Sequence, residues 1–416
     1  MHTRSNAKTL TARLAMALAA VLALGLLLAP GASSAEKKRR AVIAISNNWD
    51  GTITFADAKT FEVVKEMNVI PDYEDRFAEI AADPYRLGFF LGIRQLIGEG
   101  NDQYVDDAYI GKGGRRIFVS RPSFADVVAL NLKTDEIVWR TPVAGVRSDH
   151  MALSKDGKEV AVSASTGNVV QIIRTKDGSI RGEFPSGDSP HENIYSADGE
   201  RIYHASIGRV YTPTDEAQAD TTKGDMRFQI VDADTLEIIE RLDMDVELEK
   251  AGYPGMSGAV RPMALSPSER FVYFQVSFFH GFVEYDFKRD KVTRVIRLPI
   301  AEETQDMPKE DYVLDSAHHG IALNPAGKRF CVAGTMSDYA AIVHRKSGRY
   351  KIIDVGPRPY WSTNSADGRF CYVSVSGTDR VAVISYKKRK EIASIPVGDH
   401  PQRVRTGKIL EEFLDE

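Results

Sequence analysis

Residues 365–398 read SADGRFCYVSVSGTDRVAVISYKKRKEIASIPVG. Asp367 and Gly368 stand between two segments in which apolar and polar residues alternate. An Asp-Gly pair in that setting is the strongest short-range signal for a β-hairpin. Two more apolar segments, VAVIS and EIASIPVG, follow after polar turns. Together with the hairpin they predict a unit of four antiparallel strands.

The same unit recurs along the chain. Each copy opens near a His or Arg, runs into a turn such as Asp156-Gly157 or Asp198-Gly199, and continues with further apolar segments. Five complete copies begin at Ser148, Ser189, Val260, Ala317 and Arg358. Four strands that repeat about every 40 residues are typical of the blades of a β-propeller. We therefore predict an all-β fold built of blades.

The number of blades follows from the two ends of the repeat. A sixth copy lies upstream, with strands within 116–141 and a first strand placed near 77–82. From Arg40 the chain begins with three strands that lack a first one, and from His400 it ends with a single strand. Joined in one sheet, these N- and C-terminal strands close the ring. The sequence predicts a seven-bladed β-propeller.

The repeat also carries a family resemblance. The pattern S-A-D-G-R-x-x-Y-V-S, followed by V-x-V-I and I-x-V-G, resembles the YVTN-type β-propeller repeat family. The resemblance covers residues 40–409 and implies a seven-bladed fold similar to that of lactonase-like propellers. It implies no single function, because propellers of this kind include binding modules, lactonases and redox enzymes.

The first 35 residues predict export. Basic residues precede an unbroken apolar run over 14–29, and small residues then lead to Ala35. This order is that of a secretory signal peptide cleaved near Ala35. The run is shorter than the roughly 20 residues of a membrane span, so an uncleaved anchor is the weaker alternative. We expect the mature chain, 36–416, to be periplasmic or extracellular, without an integral membrane span.

Composition limits the partners. The net charge is -4, with 27% charged and 43% hydrophobic residues. These values exclude a multi-span membrane protein and a disordered chain, and they give no electrostatic reason to bind nucleic acid. We expect a monomer whose partner is a small anionic ligand or another exported protein.

Four insertions interrupt the repeat. They lie near 83–114, 207–225, 246–257 and 301–315. The first contains LGFFLGIRQLI, which suits a short helix lying over one face. Long loops on a rigid scaffold often carry function. The insertions therefore predict that one face of the propeller carries long extra loops and that this face binds the ligand.

Matching repeat positions converge at one mouth of a propeller channel, because each link into a first strand lies there. Histidines and arginines occupy most of those positions: His150, His191, Arg261, His318 or His319, Arg358 and His400. Glu192 adjoins one of these positions and Trp361 another. The predicted ligand-binding residues are His150, His191, Glu192, Arg261, His319, Arg358, Trp361 and His400.

Three interpretations of this ring stay open. In the first, its members hydrogen-bond between blades and serve the fold alone. In the second, Arg261 and Arg358 hold a small anionic ligand through bidentate hydrogen bonds. In the third, imidazoles bind a metal ion. The metal candidates are His150, His191, His319 and His400. No cofactor is predicted otherwise.

The predicted function is that of an exported ligand- or protein-binding module. The alternative is an enzyme at the same mouth, either a lactonase-like hydrolase or a metal-dependent oxidoreductase. Lactone hydrolysis needs a general base or metal beside a cation. Glu192 with His191, facing Arg261, would supply these groups, although no motif selects them and the catalytic residues stay unknown.

We predict that the two cysteines stand at the same position in neighbouring repeats. They are Cys331 in GKRFCVAG and Cys371 in DGRFCYVS. Equivalent positions point the same way in their blades, and stacked sheets lie about 10 Å apart. A disulfide needs Cα atoms within about 7 Å of each other. We predict two buried, unpaired thiols rather than a disulfide.

Acidic residues cluster at Asp102, Asp106 and Asp107. Their spacing lacks the Gly and Glu of an EF-hand calcium loop. We predict that this cluster is a solvated face of the protein rather than a calcium site.

Overall fold

The computed structural model describes residues 37–210 and 223–414. The predicted signal peptide, 1–35, lies outside these residues, as does most of the second insertion. Among the helices described, none is both long and apolar enough to cross a membrane.

Seven four-stranded antiparallel sheets make up the fold, which confirms the predicted seven-bladed β-propeller. Blade 1 contains β1 (Arg39–Asn47), β2 (Thr52–Asp57), β3 (Val63–Asn68) and the last strand of the chain, β28 (Pro401–Leu410). Blade 2 contains β4 (Asp107–Ile110), β5 (Arg116–Arg121), β6 (Asp126–Asn131) and β7 (Ile137–Pro142). Blade 3 contains β8 (Ser148–Leu153), β9 (Glu159–Ala164), β10 (Val169–Arg174) and β11 (Ile180–Pro185).

The other four blades repeat this order. Blade 4 contains β12 (Pro190–Tyr195), β13 (Arg201–Ser206), β14 (Phe228–Asp232) and β15 (Ile238–Leu242). Blade 5 contains β16 (Val260–Leu265), β17 (Phe271–Val276), β18 (Gly281–Asp286) and β19 (Lys291–Arg297). Blade 6 contains β20 (Gly320–Leu323), β21 (Arg329–Gly334), β22 (Tyr339–His344) and β23 (Tyr350–Asp354). Blade 7 contains β24 (Pro359–Asn364), β25 (Phe370–Val375), β26 (Arg380–Ser385) and β27 (Lys390–Pro396).

The two ends of the chain close the ring, as the sequence predicts. β28 pairs antiparallel with β1, from Leu410 opposite Arg39 to Val404 opposite Ile45. The first strand of each blade contacts the first strand of the next blade all the way around. These inner strands surround the central channel, so their first residues meet at one mouth.

The repeated turn signal has a local physical cause. In blade 3, Ser154 Oγ accepts a hydrogen bond from the Glu159 N–H at 3.0 Å and donates one to Asp156 Oδ1 at 2.8 Å. Gly157 adopts φ 78°, which costs nothing in a residue without Cβ. The same turn begins in blades 4 and 7 at Ser196 and Ser365. The motif in the sequence therefore encodes the hairpin directly.

Two helices occupy the connection between blades 1 and 2: α1 (Tyr73–Ala81) and α2 (Pro84–Leu96). The prediction of a first strand near 77–82 is therefore wrong, because FAEIAA forms the end of a helix and lacks strand alternation. Asp83 begins α2 by accepting a hydrogen bond from the Tyr85 N–H at 2.9 Å, and Pro84 suits the first turn. The first strand of blade 2 is instead β4.

Shorter helical segments lie in the later insertions and beside the blades. The helices are α3 (Met244–Lys250) and α4 (Glu302–Gln305). Within residues 37–210 and 223–414, the 3₁₀ turns are Pro122–Phe124, Lys309–Asp311, Val313–Asp315, Thr335–Ser337 and Glu411–Phe413.

A buried arginine anchors the helical pair to blade 2. The Arg121 side chain is completely buried, and its Nε donates to Asp126 Oδ1 at 2.8 Å. Its Nη2 donates to Asp72 Oδ2 at 3.1 Å, immediately before α1. The guanidinium also lies over the ring of Phe124, 5.0 Å from the centroid. One side chain thus joins the sheet to the start of α1.

The prediction of unpaired thiols is wrong, because Cys331 and Cys371 form a disulfide with Cα atoms 6.4 Å apart. Their positions are not equivalent. Cys331 lies four residues after the turn residue Gly327, whereas Cys371 lies three residues after Gly368. Successive side chains of a strand point to opposite faces. The offset of one residue therefore turns the two sulfur atoms toward each other across the interface between blades 6 and 7.

Buried neutral histidines make the stability depend on pH, and His204 is one of them. Burial lowers the pKa of His204 to about 3. Both ring nitrogens of His204 have partners: Nδ1 donates to Asn193 Oδ1 at 2.9 Å, and Nε2 lies 2.7 Å from Ser186 Oγ. Because the unfolded chain takes up a proton near pH 6.5 and the folded chain does not, stability falls as the pH drops below that value.

We expect the His204→Asn variant to lose the part of this pH dependence that His204 contributes and to keep the part that comes from the other buried histidines. In the wild type, His204 contributes a fall of up to about 1.4 kcal/mol in the free energy of unfolding per pH unit below pH 6.5. Urea unfolding at pH 7 and pH 5 measures the slope, and the exposed His344→Asn is the matched control. Equal slopes in the three proteins would show that His204 is protonated in the folded state.

Candidate functional site

Most inner strands begin with a β-bulge. In blade 3, Ser148 pairs with Ala164 and Met151 with Val162, so Asp149 and His150 together oppose one residue. The same shift of register recurs in blades 1, 4, 5 and 7. In blade 3, both bulge residues line a cavity at the channel mouth.

The first bulge position forms a ring of seven side chains, one from each blade. Counted back from the hairpin turn, its members in blades 2 to 7 are Asp106, Asp149, His191, Arg261, His319 and Tyr360. In blade 1, where β28 and β1 are joined by no turn, the bulge places Gln402 at this position. All seven are buried, and all seven line the same cavity. A single repeat position, filled differently in each blade, therefore builds the floor of the site.

The cavity has a volume of about 570 Å³ and two chemically different sides. The polar floor is the ring of seven, with His150, Arg147 and Arg403 beside it. Another part of the lining is one face of α2, formed by Tyr85, Gly88, Phe89, Gly92 and Leu96. This spacing of three and four residues defines one helical face. The volume lies in the usual range of pockets for small molecules.

Three imidazoles come together on the floor. Ring centroids are 3.8 Å apart for His150 and His191, 5.6 Å for His191 and His319, and 6.2 Å for His150 and His319. One nitrogen of each ring lies within 4.8 Å of the others. Burial, with help from nearby Arg403 or Arg261, holds the pKa of each histidine well below its usual value. The three rings are neutral at physiological pH.

Carboxyl groups surround His150. Its Nδ1 lies 2.7 Å from Glu192 Oε2, and its Nε2 lies 3.6 Å from Asp149 Oδ1. Burial raises the pKa of Asp149 to about 7 and that of Glu192 to about 8. Asp106, also buried, has a raised pKa for the same reason. The prediction of a solvated acidic face is therefore wrong for Asp106 and Asp107, which are 5% and 0% exposed.

The main cation of the floor is Arg403. Its guanidinium lies over the Trp361 ring, 4.1 Å from the centroid, and its Nη2 is 3.6 Å from Asp106 Oδ1. Among the described residues, Nε and Nη1 of Arg403 have no hydrogen-bond partner. Behind this layer, Arg405 pairs with Asp107 through two hydrogen bonds of 2.9 and 2.6 Å. Arg403 is thus held in place while its Nε and Nη1 are buried without a hydrogen-bond partner among the described residues.

The structure separates the predicted site residues into three groups. Those that line the cavity are His150, His191, Arg261 and His319. Glu192 and Trp361 stand behind it, against His150 and Arg403. Arg358 and His400 lie elsewhere: Arg358 is paired with Glu99 at the surface, and His400 stacks on Trp49 at 3.7 Å.

Several residues that line the cavity were not predicted from the sequence. They are Asp106, Arg147, Asp149, Tyr360, Gln402 and Arg403. The signal for Asp149 and Tyr360 was present, because each lies at a bulge position that can be counted back from the hairpin turn of its own blade. Arg358 and His400 each stand one residue before an inner strand, β24 and β28 respectively, and both have φ 54°. Neither residue therefore occupies the strand position that lines the channel.

The fold and the cavity define the class of protein: a seven-bladed β-propeller with a buried polar cavity at its channel mouth. A solved structure similar to this chain is hydrazine synthase from Kuenenia stuttgartiensis, with a TM-score of 0.55 and 15% identity over 71% of this chain and 88% of that chain. At this identity the likeness shows the fold alone. No protein-family model and no curated protein matches the chain, so membership of the YVTN family stays a prediction.

Proposed function

We propose that this propeller is an exported binding protein that takes a small organic anion into the cavity at its channel mouth. The observation that carries the proposal is the set of buried guanidinium donors on the cavity floor. Arg403 Nε and Nη1 and Arg147 Nη1 have no hydrogen-bond partner among the described residues. A buried donor left unpaired costs about 1–3 kcal/mol, and more in a charged group, so a carboxylate that accepts from it is stabilised.

The two sides of the cavity define the chemistry of the ligand. The floor offers arginines, histidines and amides, whereas the α2 face offers Tyr85, Phe89 and Leu96. A molecule with a carboxylate at one end and an apolar or aromatic body satisfies both sides. Benzoate is the simplest probe of that kind.

Export is part of the same proposal. The basic and apolar pattern of residues 1–35 supports a secretory signal. The Cys331–Cys371 disulfide also supports an oxidising compartment, where such bonds persist.

Calorimetric titration with benzoate tests the proposed ligand class. We expect wild-type protein to bind benzoate and to reject benzylamine, which has a similar shape and the opposite charge. Arg403→Gln should weaken benzoate binding about 10- to 100-fold, because a charge-assisted hydrogen bond is lost. Arg147→Gln, at a second donor, should weaken it in the same direction.

Arg358→Gln is the matched control, since Arg358 pairs with Glu99 outside the cavity. Thermal melts establish that each variant is folded. Equal affinity in wild type and Arg403→Gln, or equal binding of benzoate and benzylamine, would overturn the proposal.

A further inference from the structure

We infer that His150, His191 and His319 bind a divalent transition-metal ion on the cavity floor. The inference goes beyond the proposed binding of an organic anion and does not depend on it. Its basis is the arrangement of the three imidazoles and of the groups around them.

The ligand set suits a borderline transition metal. The three residues come from the bulges or bulge-equivalent positions of blades 3, 4 and 6, and each is at most 4% exposed. Their nitrogens lie within 4.8 Å of one another. Bonds of about 2.0–2.1 Å place two nitrogens on one zinc ion up to about 4 Å apart, so small ring rotations close the set. Neutral imidazole favours Zn²⁺, Cu²⁺, Ni²⁺ or Fe²⁺ over Mg²⁺ and Ca²⁺.

Glu192 orients one of the proposed ligands. Its Oε2 lies 2.7 Å from His150 Nδ1. When Glu192 is ionised it accepts a hydrogen bond from Nδ1–H, and Nε2 is then the nitrogen that can bind a metal. A carboxylate behind a histidine is the usual outer partner of a metal ligand, because it fixes the tautomer and the ring orientation. The bulge of blade 4 supplies both this carboxylate and the ligand His191, at adjacent positions.

Unsatisfied polar atoms at the cluster are consistent with a cation as their partner. Among the described residues, His191 Nδ1, His319 Nδ1 and Asp106 Oδ2 are buried without a hydrogen-bond partner. His204 shows the contrast, because both of its ring nitrogens are hydrogen-bonded. Asp106 and Asp149 form a second possible ligand group with His150. A divalent ion would be stabilised by these carboxylates as well as by the nitrogens.

Metal analysis of protein made without a polyhistidine tag tests the inference. We expect one metal ion per chain in wild type after dialysis, and at least about a tenfold loss of metal in His191→Asn and in His319→Asn. His280→Asn is the control: this buried histidine lies outside the cluster and should leave the metal content unchanged. After removal of metal by a chelator, Co²⁺ should give the visible bands of a tetrahedral site in wild type and in His280→Asn only.

Glu192→Gln tests the positioning role. We expect it to weaken Zn²⁺ binding about 10- to 100-fold and to shift the Co²⁺ bands, which a purely structural role would not change. The inference is overturned if folded wild-type protein takes up neither Zn²⁺ nor Co²⁺, or if His191→Asn and His319→Asn bind them as tightly as wild type. Binding of benzoate to the metal-free protein is scored separately, so either proposal can fail while the other stands.

Discussion

A chain that ends at residue 398 is expected to lose its cooperative fold. The truncation removes β28, which pairs with β1 along most of its length and buries Val404 and Ile409 completely. Without it, the edge of β1 and the apolar faces of the neighbouring blades become exposed. The loss is comparable to the whole free energy of unfolding of an ordinary protein, about 5–15 kcal/mol. Circular dichroism melts and gel filtration measure the outcome.

A rearranged chain is the control for this truncation. Leu410 lies opposite Arg39, so residues 399–410 can be moved in front of residue 39 and joined to it by a short Asn-Gly turn. We expect this protein to fold, since blade 1 regains its fourth strand. A truncated protein that melts cooperatively near the wild-type temperature would contradict the closure of the ring.

Replacing Arg121 with Met should cost about 3–5 kcal/mol of stability. The side chain is fully buried and pairs with Asp126 and Asp72. Met fills the volume, but it removes one of the positive charges that stabilise the buried Asp126 carboxylate. It also removes the contact with Asp72 that anchors α1. Urea unfolding measures the change.

The surface pair formed by Arg369 and Asp367 is the control for this effect. Both side chains are largely exposed, 69% and 47%. Arg369→Met should therefore change the stability by no more than about 0.5 kcal/mol. If the two variants lose similar amounts of stability, Arg121 is not the anchor described above.

The propeller could be predicted because its signals are local and repeated. The turn at Ser154 and Asp156 is both a sequence motif and a set of hydrogen bonds within six residues. The closing strand could be inferred because the three N-terminal strands lack a first strand and the C-terminal strand lacks the other three. Seven blades follow from these two observations without knowledge of any distant contact.

The site was predicted only in part, because the exact position of a residue along its strand decides whether its side chain faces the channel. His191, Arg261 and His319 occupy equivalent positions and were identified. Arg358 and His400 lie two residues before the ring positions Tyr360 and Gln402, ahead of β24 and β28, and the cysteines were aligned one residue out of register. For the cysteines, the one-residue slip reverses the side-chain direction. Counting from the hairpin turn, rather than aligning similar residues, distinguishes the positions of Cys331 and Cys371 and places Arg358 before β24.

Other features had no local signal. Asp106 and Asp107 stand in the polar sequence NDQYVDDAY and are nonetheless buried. Their burial depends on the closing strand, since Arg405 of β28 pairs with Asp107 and Arg403 faces Asp106. Partners so distant in the chain cannot be recognised from the residues around either aspartate.

The central claim is that the ring of bulge residues beneath α2 is the binding site. A crystal structure of the protein with 4-bromobenzoate, with data collected at the bromine absorption edge, tests it most directly. We predict one strong anomalous peak inside the cavity between α2 and the floor, with the carboxylate against Arg403. Bromine peaks only on the outer surface, while the cavity holds no ligand at saturating concentration, would contradict the account.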